Sequence, residues 1–262
     1  MPFGALGENL DVAQIVLYLF WIFFAGLIFW IRREDRREGY PLEKENTGKV
    51  RKPEPIMIPK PKEFHLQTGG SVFRPDFSER DNDRGMAAEK VNGLPGAPAR
   101  PTGDPMADGV GPAAWVPRRN EPEKILDGLP LIVPMRTLEG FHVAKQSPDP
   151  RGYPVVGCDG AVGGTVKDLW IDRADQMVRY LELDAEAAGR DGKVTVLLPI
   201  QAARVNKLKG RVEVSAVKGE HFARVPRLSN PEIITAAEEE RVWAYYAGGR
   251  MYAEPKRAEP VI

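Results

Sequence analysis

The 262-residue chain carries 37 Lys and Arg against 37 Asp and Glu, a formal net charge of zero that argues against nucleic acid as a partner. Its 26 Gly and 24 Pro exceed what packed helices and sheets ordinarily hold. One cysteine, Cys158, and three scattered histidines, His65, His142 and His221, exclude an internal disulfide framework and a Cys- or His-cluster metal centre.

The average hides an uneven chain. After a short N-terminal stretch, residues 1–11, positions 12–31 read VAQIVLYLFWIFFAGLIFWI, uncharged and with Gln14 as the one strongly polar side chain. A helix of that length is about 30 Å long, enough to cross the hydrocarbon core of a bilayer. Trp21, Tyr18 and the phenylalanines suit a lipid-facing helix, and Trp30 suits its interfacial end. A cleaved signal peptide fits less well, because no Lys or Arg precedes the run and the run is too long. Arg32, Arg33, Arg36 and Arg37 follow directly, so the N-terminus is expected outside and the bulk of the chain in the cytoplasm. These arginines can meet lipid phosphates, or pair with Glu34, Asp35 and Glu38 as a solvated helix end.

Residues 32–130 read as an extended Pro/Gly-rich segment: between Pro41 and Met135 lie 15 of the 24 prolines. Proline fixes its own backbone and biases its predecessor, so KPEPIMIPKPKEF and GLPGAPARPTGDP are neither helices nor central strands. Apolar anchors such as Ile56, Phe64, Phe73, Phe77 and Trp115 favour a segment lying on a partner over a solvated linker.

From about Leu131 the pattern turns to short alternating runs, predicting a domain over 131–250 and a tail over 251–262. Asp159-Gly160 and Asp191-Gly192 are hairpin signals. The apolar runs Val166, Leu169 and Ile171, then Tyr180, Leu181 and Leu183, then Val194, Val196 and Leu198 predict strands, as do Val205 and Val212 either side of the turn NKLKGR. Five or six antiparallel strands of this kind predict a small barrel or sandwich, closed to remove its edges. A capping box at Thr235 and Glu238 opens a terminal helix, with Val242, Trp243 and Tyr246 on one face and Gly248-Gly249 as its stop.

Motifs for nucleotide binding, acyl transfer or metal hydrolysis are missing from the sequence, and a tethered hydrolase lacks any nucleophile and base at recognisable spacing. Asp168, Asp172 and Asp175 stand at i, i+4, i+7, which would align them for a hard cation only on a helix. On a strand they are either a solvated strand end or, for Asp172 and Asp175 beside Arg179, a coupled cluster able to hold and release protons. Glu238 to Glu240 and Glu232 suit the start of a helix.

The span followed by RREDRREGYPLE, then PTGDPMADGVGPAAWVPRR, VGCDGAVGGTVKDLWIDRADQMVRYLELD and ERVWAYYAGGRMYAEPKR together resemble the H subunit of the purple-bacterial photosynthetic reaction centre. The resemblance implies a single N-terminal transmembrane helix and a mainly antiparallel β cytoplasmic domain, a small PRC-type barrel, with a short C-terminal helix. It implies a noncatalytic subunit of the bacterial inner (chromatophore) membrane. The chain would cap the L and M subunits, stabilise the quinone region and conduct protons to the reduced secondary quinone. It would bind no cofactor or metal itself, the bacteriochlorophyll, bacteriopheophytin, quinones and non-haem iron being held by L and M. A cytochrome subunit, the light-harvesting antenna and membrane phospholipids would be further partners. By position, Asp172, Asp175 and Arg179 match the family's proton path, Glu232 and Glu239 match further acids, with Glu238 and Glu240 as alternatives to Glu239, and Glu123 matches an acid on the uptake loop. Histidines that some members carry before the segment IVPM are replaced here by EPEKILDGLPL, where Asp127 stands near one of their positions. A membrane-tethered PRC-barrel adaptor for another protein is the rival reading, disfavoured by the anchor-studded linker.

Overall fold

The structure, a computed structural model, describes residues 5–7, 10–40, 42, 54–67, 69–76, 86–94, 97–186 and 192–258. It forms two compact units, Met1–Asp83 and Arg84–Ile262.

In the first unit a short pair, β1 (Ala5–Gly7) and β2 (Leu10–Asp11), leads into α1 (Val12–Glu34). Asp11 caps this helix: its Oδ1 accepts the Gln14 N–H at 2.8 Å while Gln14 Oε1 accepts the Asp11 N–H at 3.4 Å. The polar exception of the apolar run therefore belongs to the helix start, where two amides would otherwise lack partners. No residue of α1 is buried within the chain, and its aromatic and aliphatic side chains point outward, as a lipid-facing helix requires. A hairpin follows, β3 (Lys62–His65) with β4 (Ser71–Arg74), in which Phe64 pairs with Val72. Phe77 lies outside the described residues.

The second unit opens with a hairpin, β5 (Ala88–Lys90) and β6 (Ala99–Pro101), and one helical turn, α2 (Pro105–Asp108), capped by Asp104. The strand-rich body comprises β7 (Ile132–Pro134), β8 (Pro154–Val156), β9 (Val162–Asp172), β10 (Met177–Glu186), β11 (Lys193–Pro199), β12 (Ala203–Asn206) and β13 (Arg211–Val214), followed by α3 (Ala236–Tyr252). The sheet order is β11-β10-β9-β8-β13-β12, and β7 pairs with the far half of the β9 edge whose near half takes β8. The Asp159-Gly160 turn stands where expected, with Gly160 at φ +79°. Asp191 lies outside the described residues, and the β10–β11 ladder runs as far as Glu186 opposite Lys193.

Three features depart from the sequence expectation. The described pairings trace an open path and not a hydrogen-bonded ring, although its end strands, β11 and β12, are joined by the single turn Ile200–Ala202, which makes the sheet curl. One pairing, β13 with β8, is parallel, because the chain returns to that edge through the whole β9–β12 excursion. Gly248-Gly249 does not stop α3, which continues to Tyr252. A Cβ at Gly248 would stand 2.4 Å from the Ala113 Cβ, and one at Gly249 would stand 2.5 Å from Val217 Cγ1. The two glycines let the helix lie against its neighbours.

One core draws on β9, β10, β11, β13, the turn at 219–224 and α3. Leu169, Leu181, Leu183, Leu198, Val212, Phe222, Val242 and Tyr246 are all buried there. Burying such a set is the main driving force for closing α3 on the sheet, at roughly 25 cal/mol per Å² of apolar surface.

Candidate functional site

Cross-strand neighbours share a sheet face, so the β9–β10 register puts Asp168 with Glu182 and Trp170 with Tyr180 on one side of the ribbon. Asp172, two residues beyond Trp170, follows the same alternation. This face is polar yet covered, and two charge clusters form along it.

The first lies at the β9–β10 turn. Asp172 is 1% exposed. Its Oδ1 accepts the N–H groups of Ala174 and Asp175, both at 3.0 Å, building the turn in which Gln176 takes a left-handed φ of +53°. Its Oδ2 takes Arg179 Nε at 3.0 Å and Nη2 at 3.0 Å. Burial resists ionisation of Asp172, but the turn amides and the guanidinium outweigh it and hold the carboxyl below its usual range. Asp175, exposed, meets Arg179 Nη2 at 3.5 Å. Asp172 is thus no solvated strand end, while Asp175 stays in solvent at the turn. The crowding of carboxylates expected from the sequence is relieved by Arg179, which turns Asp172 into a fixed negative charge.

Glu239 comes to this cluster from the first turn of α3. Burial pushes its carboxyl up; the nearby Tyr180 hydroxyl opposes the shift, the charge of Glu123 adds to it, and Arg179 and Asp172 act with smaller and opposite effect. The neighbouring acids have other tasks. Glu238 closes the capping box, accepting Thr235 N–H at 3.0 Å and the Ser229 N–H at 2.7 Å; burial is overcome by these bonds and its carboxyl sits low. Glu240 turns to Arg118 at 3.4 Å. Of the three sequence alternatives, Glu239 is the one whose carboxyl feels the charges of Arg179 and Asp172. Glu123, exposed, and Glu239 line one open groove of about 360 Å³ together with Arg118, Glu240 and Trp243.

Glu232 and Asp127 are exposed and stand apart from this cluster; Glu232 donates its N–H to Asn230 Oδ1 at 2.9 Å. The four arginines after the span divide. Arg32 is exposed, and Arg36 lies over the Tyr40 ring at 5.5 Å. Arg33 donates to the Ile58 carbonyl at 3.4 Å, and Arg37 to the carbonyls of Lys60 and Arg74, both at 2.9 Å, as well as to Glu34. Arg37 thus ties the β3–β4 hairpin to the helix end through Arg74, and Arg33 holds the segment leading into it.

The second cluster was not legible in the sequence. Glu182, 1% exposed, accepts the Trp170 indole N–H at 2.9 Å and Arg136 Nη1 at 2.6 Å, with Lys167 Nζ at 3.2 Å. Arg136 Nη1 also reaches Asp168 Oδ2 at 3.1 Å, and its Nη2 donates to the Pro231 carbonyl at 2.9 Å. Burial again disfavours the charge on Glu182, and Arg136, Trp170 and Lys167 more than offset it. The run LELD offered no signal, because Glu182 alternates with the core residues Leu181 and Leu183 and so reads as outward-facing, whereas here that face is covered and burial demands a partner. The partner lies 46 residues away, beyond the reach of local spacing.

Among the described residues no group of His, Cys, Asp and Glu is arranged to hold a metal ion. Residues 4–137 match the family model described as the photosynthetic reaction centre, H-chain N-terminal region, and residues 143–221 match that of the PRC-barrel domain. The first match takes in α1 and the Pro-rich stretch and the second the strands that hold both clusters, so the chain belongs to the family of photosynthetic reaction-centre H subunits.

Proposed function

We propose that this single-pass H subunit conducts protons from the cytoplasm to the reduced secondary quinone held by its L and M partners, as a noncatalytic part of the complex. The observation that carries the reading is the juxtaposition of Glu239 with Glu123 along one groove, within reach of the charges of Arg179 and Asp172. A carboxyl raised by burial, bordered by water-accessible space and by a fixed ion pair, can take up a proton nearer neutral pH than a solvated acid can. Glu123 collects at the surface, Glu239 holds the proton, and Arg179 with Asp172 and Asp175 sets the potential along the route. Asp127 and Glu232 serve as outlying surface acids. The arginines following α1 set the orientation, with the sheet domain cytoplasmic, and Arg32 remains available to lipid phosphates. The same domain caps the quinone region and stabilises it, in a membrane shared with a cytochrome subunit and antenna.

Glu239→Gln and Asp175→Asn in the assembled complex test the reading. Flash-induced absorbance should show the second, proton-coupled reduction of the quinone slowed by roughly tenfold or more in Glu239→Gln. Asp175→Asn should slow it less, and primary charge separation should be unchanged in both. Wild-type kinetics of that second step in both variants would sink the proposed conduction.

A further inference from the structure

The exposed flank of α3 borders another cavity, one that the proton route does not use. It is open, about 540 Å³, and lined by Trp243, Ala247, Arg250 and Met251 of the helix, with Ala202 and Pro112 completing its wall. That volume suits a small-molecule site. Spacing of i, i+4 and i+7 puts Trp243, Ala247 and Arg250 on one stripe of the helix. Trp243 Nε1 donates to the Tyr180 hydroxyl at 2.9 Å, which fixes the indole and leaves its carbon surface as an apolar wall.

Two polar groups at this cavity lack partners among the described residues. Tyr246 lines it and is 1% exposed, yet its hydroxyl makes no hydrogen bond. A buried donor left unpaired costs free energy, and such groups are rare enough in native structures that each calls for an explanation. Arg250, exposed, makes no ion pair or side-chain hydrogen bond. The other cation at the rim is already engaged: Arg257 donates to the Ser215 carbonyl at 3.1 Å and pairs with Glu254 at 2.5 Å. Tyr246 and Arg250 stand one helical turn apart, so the head of one ligand can meet both.

We propose that this cavity binds a small amphipathic carboxylate, its aromatic or aliphatic body against Trp243, Ala247 and Met251 and its head between Arg250 and Tyr246. The planar guanidinium matches a carboxylate with two parallel hydrogen bonds, and the phenol O–H supplies a third donor. A monoanion fits better than a phosphate dianion, because Glu254 already neutralises Arg257 and leaves one cation to answer the charge. The site goes beyond the conduction reading, which neither needs nor excludes it, although Pro112, Trp243 and Ala247 border both this cavity and the groove of Glu239.

Isothermal titration calorimetry of 2-naphthoate into the full chain, held in phospholipid nanodiscs, tests the site, with 2-naphthamide as the neutral counterpart. The wild type should bind naphthoate saturably and naphthamide more weakly. Arg250→Gln should weaken naphthoate about tenfold or more, the worth of a charge-assisted bond, and leave naphthamide as in the wild type. Tyr246→Phe should weaken naphthoate about fivefold without lowering the thermal midpoint of the free chain, since the hydroxyl it removes has no partner there. Ala247→Leu, on the exposed stripe, fills the cavity and should abolish binding of both probes. A wild type without saturable binding, or binding that survives Arg250→Gln and Ala247→Leu unchanged, overturns the proposal. Binding by the isolated chain that disappears in the assembled complex overturns it as well, because a partner subunit is then the occupant.

Discussion

Arg136 joins elements that local sequence keeps apart: it follows β7, reaches two acids on the β9–β10 ribbon, and ends on the carbonyl of Pro231 ahead of α3. Its value to the fold is the compensation of charges already buried, since an ion pair taken out of water gains little over apolar packing but an unpaired buried carboxylate costs several kcal/mol. Arg136→Ala should therefore destabilise the full chain in detergent by about 3 kcal/mol, toward the low end for such deletions because Lys167 still meets Glu182. Chemical denaturation followed by tryptophan fluorescence measures this. Replacing Glu182 by Leu together with Arg136 by Met should recover much of the loss, and a single variant as stable as wild type would remove the cluster from the core's energetics. At the same scale, Asp172 and Glu239 show why residue type alone does not assign a role. Both are carboxylates in one cluster, yet turn amides and Arg179 hold the first ionised while burial holds the second toward its neutral form.

Among the elements, β9 and α3 organise the domain. β9 has eleven residues, gives one edge to β10 and divides the other between β8 and β7, and is buried along most of its length. Its strand character was readable from the apolar run Val166, Leu169 and Ile171, the last two spaced as on a pleated strand. The start of α3 was readable too, from Thr235 and Glu238, whose reciprocal bonds satisfy amides that no helix can pair internally. Its end was not. A glycine pair signals a stop when the helix faces solvent, whereas here the absent Cβ atoms admit Ala113 and Val217 to the helix surface. Gly249→Ala should thus cost about 1–3 kcal/mol by overpacking against Val217 and the Ala216 carbonyl, despite the better helix propensity of alanine. A rise in thermal midpoint for that variant would show the packing to be loose and propensity to dominate.

For the molecule as a whole, the apolar helix and the H-chain family make this a single-pass membrane subunit. All the described side chains of α1 between Val12 and Ile31 lie clear of the chain's own core, so their burial must come from lipid or from partner helices. Phe23→Arg combined with Leu27→Arg should cost roughly 2.5–3.5 kcal/mol per charge at the centre of the span. The chain should then appear in the soluble fraction after an alkaline membrane wash, and full retention of the double variant would show that partner contacts outweigh the helix. Zero net charge, at this scale, is a sum over unlike parts: arginines gathered behind the span and carboxylates gathered on the sheet and at α3.

The sequence by itself determined the span and its length, the strand alternation, the terminal-helix cap and the family, because each rests on periodicity or on residues within a few positions of one another. Only the tertiary structure decided which carboxylates meet. The choice of Glu239 among three consecutive acids depends on the rotation of α3 against β10, and Arg136 finds Glu182 only once β7 lies beside β9. Burial, partner charge and hydrogen-bond direction are properties of neighbours brought together from distant parts of the chain, and they decide whether an acid anchors a turn, caps a helix or holds a proton.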